Sequence, residues 1–368
     1  MKSINKHLNE INKKGPKELW RKIYTFLFYG GFHLLQKFFF IIFLAYNYSK
    51  TKNKTDIGKN NKKILIGTIV WGNLYNDYLI NFLIPSLFSK NNIIRLILDD
   101  FDVEYIFVLE KNENLKLQIT NIILLKLKKF NIDLSKIKLS FEEKSVMNKN
   151  KMSQYLLNIF KKSYKEKSIL FYTNADHIFS DGTLYNFTNM IDTNNCVIAT
   201  ATFGVNKQKF IDHYKNNSFS NNNKELIKIT RKYFHQSIIK SFKDHPVNMS
   251  WGSGVVIEKL FDNNLLITFS LPSPFMFRVT KSDIDFFNKY DFNVFDHSWP
   301  SKLMMQQRLR VVPSSEVAFV VEIRDDEKDT PTDTPLELSN TFIPLRHITR
   351  RRLHTVLLSS FTYFLKIN

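Results

Sequence analysis

The stretch SILFYTNADHIFSDGTLYNF, residues 168–187, decides how this chain is read. An apolar strand over 168–176 runs directly into polar Asn174 and Asp176. A short apolar step, Ile178-Phe179, then leads to Ser180-Asp181-Gly182. Oxygen ligands at the end of a strand suit a hard divalent cation bridging a diphosphate. Asp181, ahead of Gly-Thr-Leu, is expected to cap the following helix. Asp176 has no such structural task and is the candidate ligand.

Outward from this segment, residues 62–324 alternate between two periods. KKILIGTIV (62–70) is an apolar β-branched run, followed by the loop WGNLYND and an apolar-periodic segment to Phe88. VEYIFVLE (103–110) predicts a second strand and ENLKLQITNIILLKLKKF (113–130) a helix. KIKLSFEE, a helix over 152–164 and the strand at 168–176 repeat the alternation, and CVIATATFG (196–204) follows as another strand. A helix is expected near 224–242. Strand–helix alternation of this kind implies a mostly parallel sheet covered on both faces.

Only 10 glycines occur, and six of them (Gly67, Gly72, Gly182, Gly204, Gly252 and Gly254) fall on loops or strand ends of this region. Ligands of open α/β sheets bind beyond the carboxyl ends of the strands, where Trp71-Gly72 and Gly182 are expected. None of these glycines makes a G-x-G-x-x-G or P-loop pattern, which speaks against dinucleotide and Walker-type sites.

The run Phe171-Tyr-Thr-Asn-Ala-Asp-His-Ile-Phe-Ser-Asp-Gly-Thr-Leu184 resembles the end of the fourth strand in GT-A-type nucleotide-sugar glycosyltransferases, where an Asp-x-Asp motif precedes an apolar pair and a short helix. KILIGTIVWGNLYNDYLINFLIPSL, from Lys63, is similar to the first strand of those families, where the nucleotide docks. MSWGSGVVIEK (249–259) is similar to their Ser/Ala-Gly-Val strand near the acceptor side. The resemblance implies an α/β fold: a single GT-A-like, Rossmann-like domain with a mostly parallel sheet over 62–324. It also implies transfer of a sugar from a nucleotide-diphosphate donor to a hydroxyl of a cell-surface glycan or glycolipid. Thr68, Trp71, Gly72, Asn174, Asp176, Gly252 and Ser253 would contact the nucleotide sugar, and Asp176 would be the metal ligand, for Mn²⁺ or Mg²⁺. Asn174 stands where the motif has its first Asp, so a diphosphate held by basic side chains is an equal expectation.

Such a reaction needs stabilisation of the leaving diphosphate and either a base for the acceptor or a retaining route. Asp283, Asp285, Asp291, Asp296 and His297 are downstream candidates. FNVFDHSWPSK (292–302) gathers Asp296, His297, Trp299 and Lys302 in a proline-containing loop, with Asp296 as base or further ligand. A lone Asp-His pair is also compatible with a simple turn, and His213 and His245 read as surface histidines.

Composition bounds the rest. With 53 Lys+Arg against 34 Asp+Glu the formal charge is +19. Only 11 of the basic residues are Arg, and Lys, Asn, Ile and Phe are abundant together, a mix that A/T-rich codons produce. Base readout favours Arg, and no helix-turn-helix, finger or RNP signature is present, so no nucleic-acid partner is expected. The one cysteine, Cys196, excludes an intramolecular disulfide framework. In the arm 1–61, IYTFLFYGGFHLLQKFFFIIFLAYNY (23–48) is long enough to span a bilayer but is interrupted by Gly30-Gly31 and Lys37. It reads as a span, as an interfacial helix or as a helix pair packed on the main domain. DDEKDTPTDTP (325–335) opens an acidic linker, 325–344, and 345–368 is expected to be a basic amphipathic helix. Together these imply a membrane surface as partner, at the cytoplasmic face of the inner membrane. An inactive nucleotide-sugar-fold binding protein is the alternative, and a two-carboxylate glycoside hydrolase lacks an evident second carboxylate beside Asp176.

Overall fold

The computed structural model describes residues 62–145, 147, 152–191, 196–242, 255–260, 264–269, 273–289, 299, 302–303, 306, 308–325 and 361–366. Strand β1, Lys63–Val70, is buried from its second residue to its last. That burial requires cover on both faces, and the alternation supplies it. Leu65 and Ile69 join one apolar cluster, while Ile64, Ile66 and Val70 join the other. After Gly72 the chain forms α1 (Asn73–Tyr78), a π-helical turn (Leu79–Leu83) and α2 (Ile84–Leu87). Pro85 lacks an N–H and would leave a gap in a continuous α-helix. The widened turn immediately before it is where the ladder is interrupted.

Helix α3 (Ile93–Leu98) leads into β2 (Asp102–Glu110), and α4 (Glu113–Lys128) follows. The Asn112 carboxamide accepts the Leu115 N–H at 3.0 Å to start α4. Glu113 stands in its first turn and Lys126 and Lys128 in its last, both favourable to the helix dipole. Leu115, Ile119, Ile123 and Leu127 recur every fourth residue and are buried. Then come β3 (Ile137–Lys144), α5 (Met152–Glu166), β4 (Ile169–Tyr172), β5 (His177–Phe179) and α6 (Thr183–Met190). Helix α5 lies close on β1 at Gly67, where a Cβ would meet Ile159 carbons at 3.1 and 3.2 Å. Glycine is the residue that permits this approach.

The expected strand over 196–204 is two strands in different sheets, β6 (Val197–Ala199) and β7 (Thr202–Asn206). The expected helix near 224–242 is likewise divided. After α7 (Lys207–Lys215), α8 (Asn223–Lys232) ends before Phe234, which bridges to Val205, and α9 (Gln236–Ile239) is separate. The remaining elements are β8 (Val255–Lys259), β9 (Leu265–Phe269), β10 (Phe275–Arg278), α10 (Lys281–Lys289), β11 (Leu309–Val311), β12 (Val320–Arg324) and β13 (Phe361–Leu365).

The main sheet has seven strands in the order β11-β6-β10-β4-β1-β2-β3. All neighbours are parallel except β10, which runs against β4 and β6. This is the expected mostly parallel, Rossmann-like α/β arrangement. Strands β5, β12 and β7 form a second sheet and β13, β9 and β8 a third. The expectation of a C-terminal helix is corrected at its end: Phe361–Leu365 is a strand paired antiparallel with Leu265–Phe269. Tyr363 and Leu365 are buried and Phe364 between them is less so, the two-residue period of a strand. The arm 1–61, the linker beyond Asp325 and residues 345–360 lie outside the described residues. Among the described residues no helix is long and apolar enough to cross a membrane.

Candidate functional site

Chain order places the site. The first three strands fill one half of the sheet, β1-β2-β3, and β4 then starts the other half against β1. The carboxyl ends of β1 and β4 therefore flank the topological switch point, where loops diverge and leave a crevice. Trp71-Gly72 leave β1 there, and Thr173–Asp176 leave β4.

Gly72 adopts φ 81° and ψ 147°, a conformation that side chains disfavour, and its carbonyl accepts the N–H groups of Tyr75 and Asn76 at 3.1 Å. This sharp turn starts α1 directly after β1. Trp71, Tyr75 and Tyr78 follow one another, with ring centroids 6.1 and 5.9 Å apart. Burial pushes the Tyr78 phenol upward, and the Asp176 carboxylate adds to this, as do Tyr75, Asp325 and Asp77.

On the β4 side, the Thr173 N–H donates to the Gly67 carbonyl at 3.1 Å, which holds the exit beside β1. Asn174 is exposed and its Oδ1 accepts from the Tyr172 hydroxyl at 3.1 Å. Asp176 is half-buried, and its carbonyl accepts the Ile323 N–H at 3.0 Å, tying the loop to β12. His177 is buried at the head of β5, with Nδ1 3.1 Å from Thr173 Oγ1. Burial lowers its pKa to about 4, against the opposing field of Glu322. His177 is therefore neutral at pH 7 and fixes the turn that presents Asp176.

Asp325 is the residue that sequence reasoning assigned elsewhere. It was expected to open the acidic linker, yet it immediately follows β12, and Lys207 Nζ lies 3.5 Å from its Oδ2. It also contributes, after burial, Asp176 and Tyr75, to the upward push on the Tyr78 phenol. The usable signal is its position directly after the strand VVEIR.

Other expected residues are placed differently. Thr68 is fully buried, and its hydroxyl pairs with Tyr105 Oη at 3.0 Å, so it lines the core of the sheet. Asp181 does not cap α6; the N-cap is Gly182, and the Asp181 carboxylate receives Asn91 N and Nδ2 at 2.8 and 2.7 Å. Asp283 is no acid–base candidate. It is fully buried and gripped by both Arg308 terminal nitrogens at 2.9 Å, with Thr280 and Trp299 Nε1 completing its partners. Trp299, expected near an acceptor, is also fully buried and packs on Phe275, Phe277 and Phe287. Asp285 pairs with Lys281 at 3.1 Å, and Lys302 donates to Ser282. His213 packs against the rings of Tyr214 and Tyr233. Gly252, Ser253, Asp291, Asp296, His297 and His245 lie outside the described residues.

Among the described residues no group of three or more His, Cys, Asp or Glu side chains is assembled to hold a metal ion. A cation of the Mg²⁺ type bound to a diphosphate takes one or two carboxylates and fills its other positions with water and phosphate oxygens. At this junction Asp176 offers one carboxylate, and the neighbouring Asn174 amide oxygen already accepts from the Tyr172 hydroxyl.

No protein-family model and no curated protein matches the chain. Among solved structures, the apo form of mouse xyloside xylosyltransferase 1 is similar over 42% of this chain and 59% of that one, at 10% identity and a TM-score of 0.22. This chain thus spans less than two thirds of that structure's length. The described residues by themselves establish a mixed α/β domain with a mostly parallel seven-stranded main sheet.

Proposed function

We propose that this chain is a glycosyltransferase that moves a sugar from a nucleotide-diphosphate donor to a hydroxyl of a cell-surface glycan or glycolipid. The observation that carries the reading is the junction of β1 and β4. There the rings of Trp71 and Tyr75 stand in series beside Gly72, and the next ring, the buried Tyr78, feels the carboxylate of Asp176. Rings of this kind suit the flat base of a nucleotide, and the Gly72 turn lets a ligand approach the backbone. Asn174 and Asp176 would hold the diphosphate side, directly or through Mn²⁺ or Mg²⁺; the cation, when bound, would neutralise charge on the leaving diphosphate. Lys207, beside Asp325, is the proposed protein cation for the same charge. Its attraction to the diphosphate grows as the bond to the sugar breaks, which is the condition for catalysis rather than mere binding.

For the acceptor hydroxyl we propose Asp296 as base, with His297, and Gly252 and Ser253 as contacts to the nucleotide sugar. Residues 23–48 are the proposed membrane attachment, at the cytoplasmic face of the inner membrane, and no nucleic acid is involved. One residue favours the second reading, a nucleotide-sugar-binding partner without turnover: Asn174 cannot carry the charge that the resembling motif places there. The test is release of free or transferred sugar from UDP-, GDP- or CMP-linked donors, with Mn²⁺ and without. The proposal expects turnover of at least one donor and its loss in Asp176→Ala. Binding without turnover would establish the second reading, and full activity in Asp176→Ala would remove the site assignment.

A further inference from the structure

Helix α4 buries one stripe and leaves an unusual one outside. With Leu115, Ile119, Ile123 and Leu127 inward, the helical repeat sets Leu117 and Leu125 on either side of the outward line through Asn121 and Lys128. Both leucines are large, apolar and exposed, at 60% and 61%. At the end of the helix Ile122 and Leu125, with Lys126, Lys128 and Lys129, line a shallow hollow of about 500 Å³. Among the described residues none of these three lysines has a carboxylate partner, whereas Lys116 on the same helix reaches both Glu113 and Glu143. The helix dipole accounts for cations in a last turn, but not for exposed leucines beside them. Partial burial, and Lys129 after it, hold the Lys126 ammonium below the ordinary lysine range. An anion in the hollow would relieve that repulsion.

We propose that the outer face of α4 rests on a bilayer of anionic lipids, with Leu117 and Leu125 in the headgroup region, Lys128 and Lys129 on lipid phosphates, and the half-buried Lys126 reaching the same phosphates from the flank of the helix through the hollow. Exposed apolar side chains interspersed with lysines are the composition of interfacial helices, and lysine stems lie along apolar surface while their heads reach outward. A nucleic acid would be met by cations and stacking rings rather than leucines. A protein partner needs a contiguous apolar centre, which two leucines separated by about two turns do not form. The inference rests neither on glycosyl transfer nor on residues 23–48, because it concerns a face of the folded domain. It also orients the molecule. Asn112 starts α4 two residues after β2 ends, so the helix and the strands would lie along the bilayer. The switch-point crevice would then open sideways, beside the membrane.

The test uses the full chain with Cys196→Ser and Asn121→Cys, labelled at position 121 with an environment-sensitive fluorophore. Vesicles of phosphatidylcholine with phosphatidylglycerol should shift the emission to the blue, brominated lipids should quench it, and pure phosphatidylcholine should do neither. Adding Lys126→Gln, Lys128→Gln and Lys129→Gln should raise the lipid concentration for half the shift roughly 10²-fold. Replacing Leu117 and Leu125 with Ser should remove the bromolipid quenching. All five positions lie on the outer or partly exposed side of the helix, so the fold should be retained, which far-UV circular dichroism checks. Co-sedimentation without quenching at position 121 would overturn the proposal, placing the anchor elsewhere. An equal spectral change with heparin alone would also overturn it, as would a triple-lysine variant that behaves like the parent.

Discussion

Acid should weaken this fold through His177 before it does so through the carboxylates. The ring is buried, hydrogen-bonded to Thr173 through Nδ1, and its pKa is lowered to about 4 from an ordinary 6.5, with burial as the main cause. Between those values the unfolded chain binds a proton that the native state refuses. Stability is therefore intact above pH 6.5, falls as pH drops towards 4 and levels off below it. Linkage gives a loss of about 1 kcal/mol at pH 5.5 and about 3 kcal/mol at pH 4.5 from this group alone. Substituting His177→Asn keeps a polar group within reach of Thr173 Oγ1 and removes the titration. Urea unfolding of both proteins at pH 7.5, 5.5 and 4.5, followed by circular dichroism, separates this contribution. The difference in unfolding free energy between wild type and variant should move by those amounts in the variant's favour as pH falls. A difference independent of pH would show that His177 is not held neutral, and would refute its role in fixing the turn that presents Asp176.

Three further outcomes follow from the same contacts. Arg308→Met leaves the Asp283 carboxylate buried without its cation and should cost about 3–5 kcal/mol, read as a lower urea midpoint; adding Asp283→Asn should recover part of it. Because Arg308 and Thr280 hold Asp283 below the usual carboxylate range despite burial, its contribution is present at neutral pH. It should fade only below the ordinary Asp pKa, a lower window than that of His177. Gly72→Ala meets no neighbour but must adopt φ 81°, so it should cost about 1–3 kcal/mol. The same variant should weaken nucleotide binding more than Gly67→Ala does, which calorimetry would show. Deleting residues 1–60 should shift the protein from the membrane pellet towards the supernatant at high salt, with residual binding to anionic vesicles through α4.

Much of the sheet was legible because its elements announce themselves over short windows. β1, β2 and β4 are continuous apolar runs, and α4 and α5 carry a helical period. Asn174 and Asp176 stand out because polar residues end an apolar strand without any capping task. What the sequence concealed depended on partners far along the chain. Nothing in residues 196–204 tells that the strand changes sheets after Ala199, because both halves are equally apolar. FTYFL at 361–365 was read as the end of a helix since its apolar residues follow a basic run; its pairing with Leu265–Phe269 is nearly a hundred residues away. Asp283 resembled a catalytic carboxylate until Arg308, 25 residues later, closed on it. Asp181 resembled a cap until Asn91 was found bound to it. Asp325 is hidden by composition, since in sequence it belongs to a run of acidic residues while in space it pairs with Lys207.

The central claim is that the junction of β1 and β4 holds a nucleotide diphosphate. Calorimetric titration of UDP and GDP, with Mn²⁺, into wild type and Asp176→Asn tests it most directly. Saturable binding of at least one nucleotide to wild type, weakened roughly tenfold or more by this loss of one charge, is the result the proposal predicts. Equal affinity in the two proteins, or binding of neither nucleotide to wild type, would contradict it.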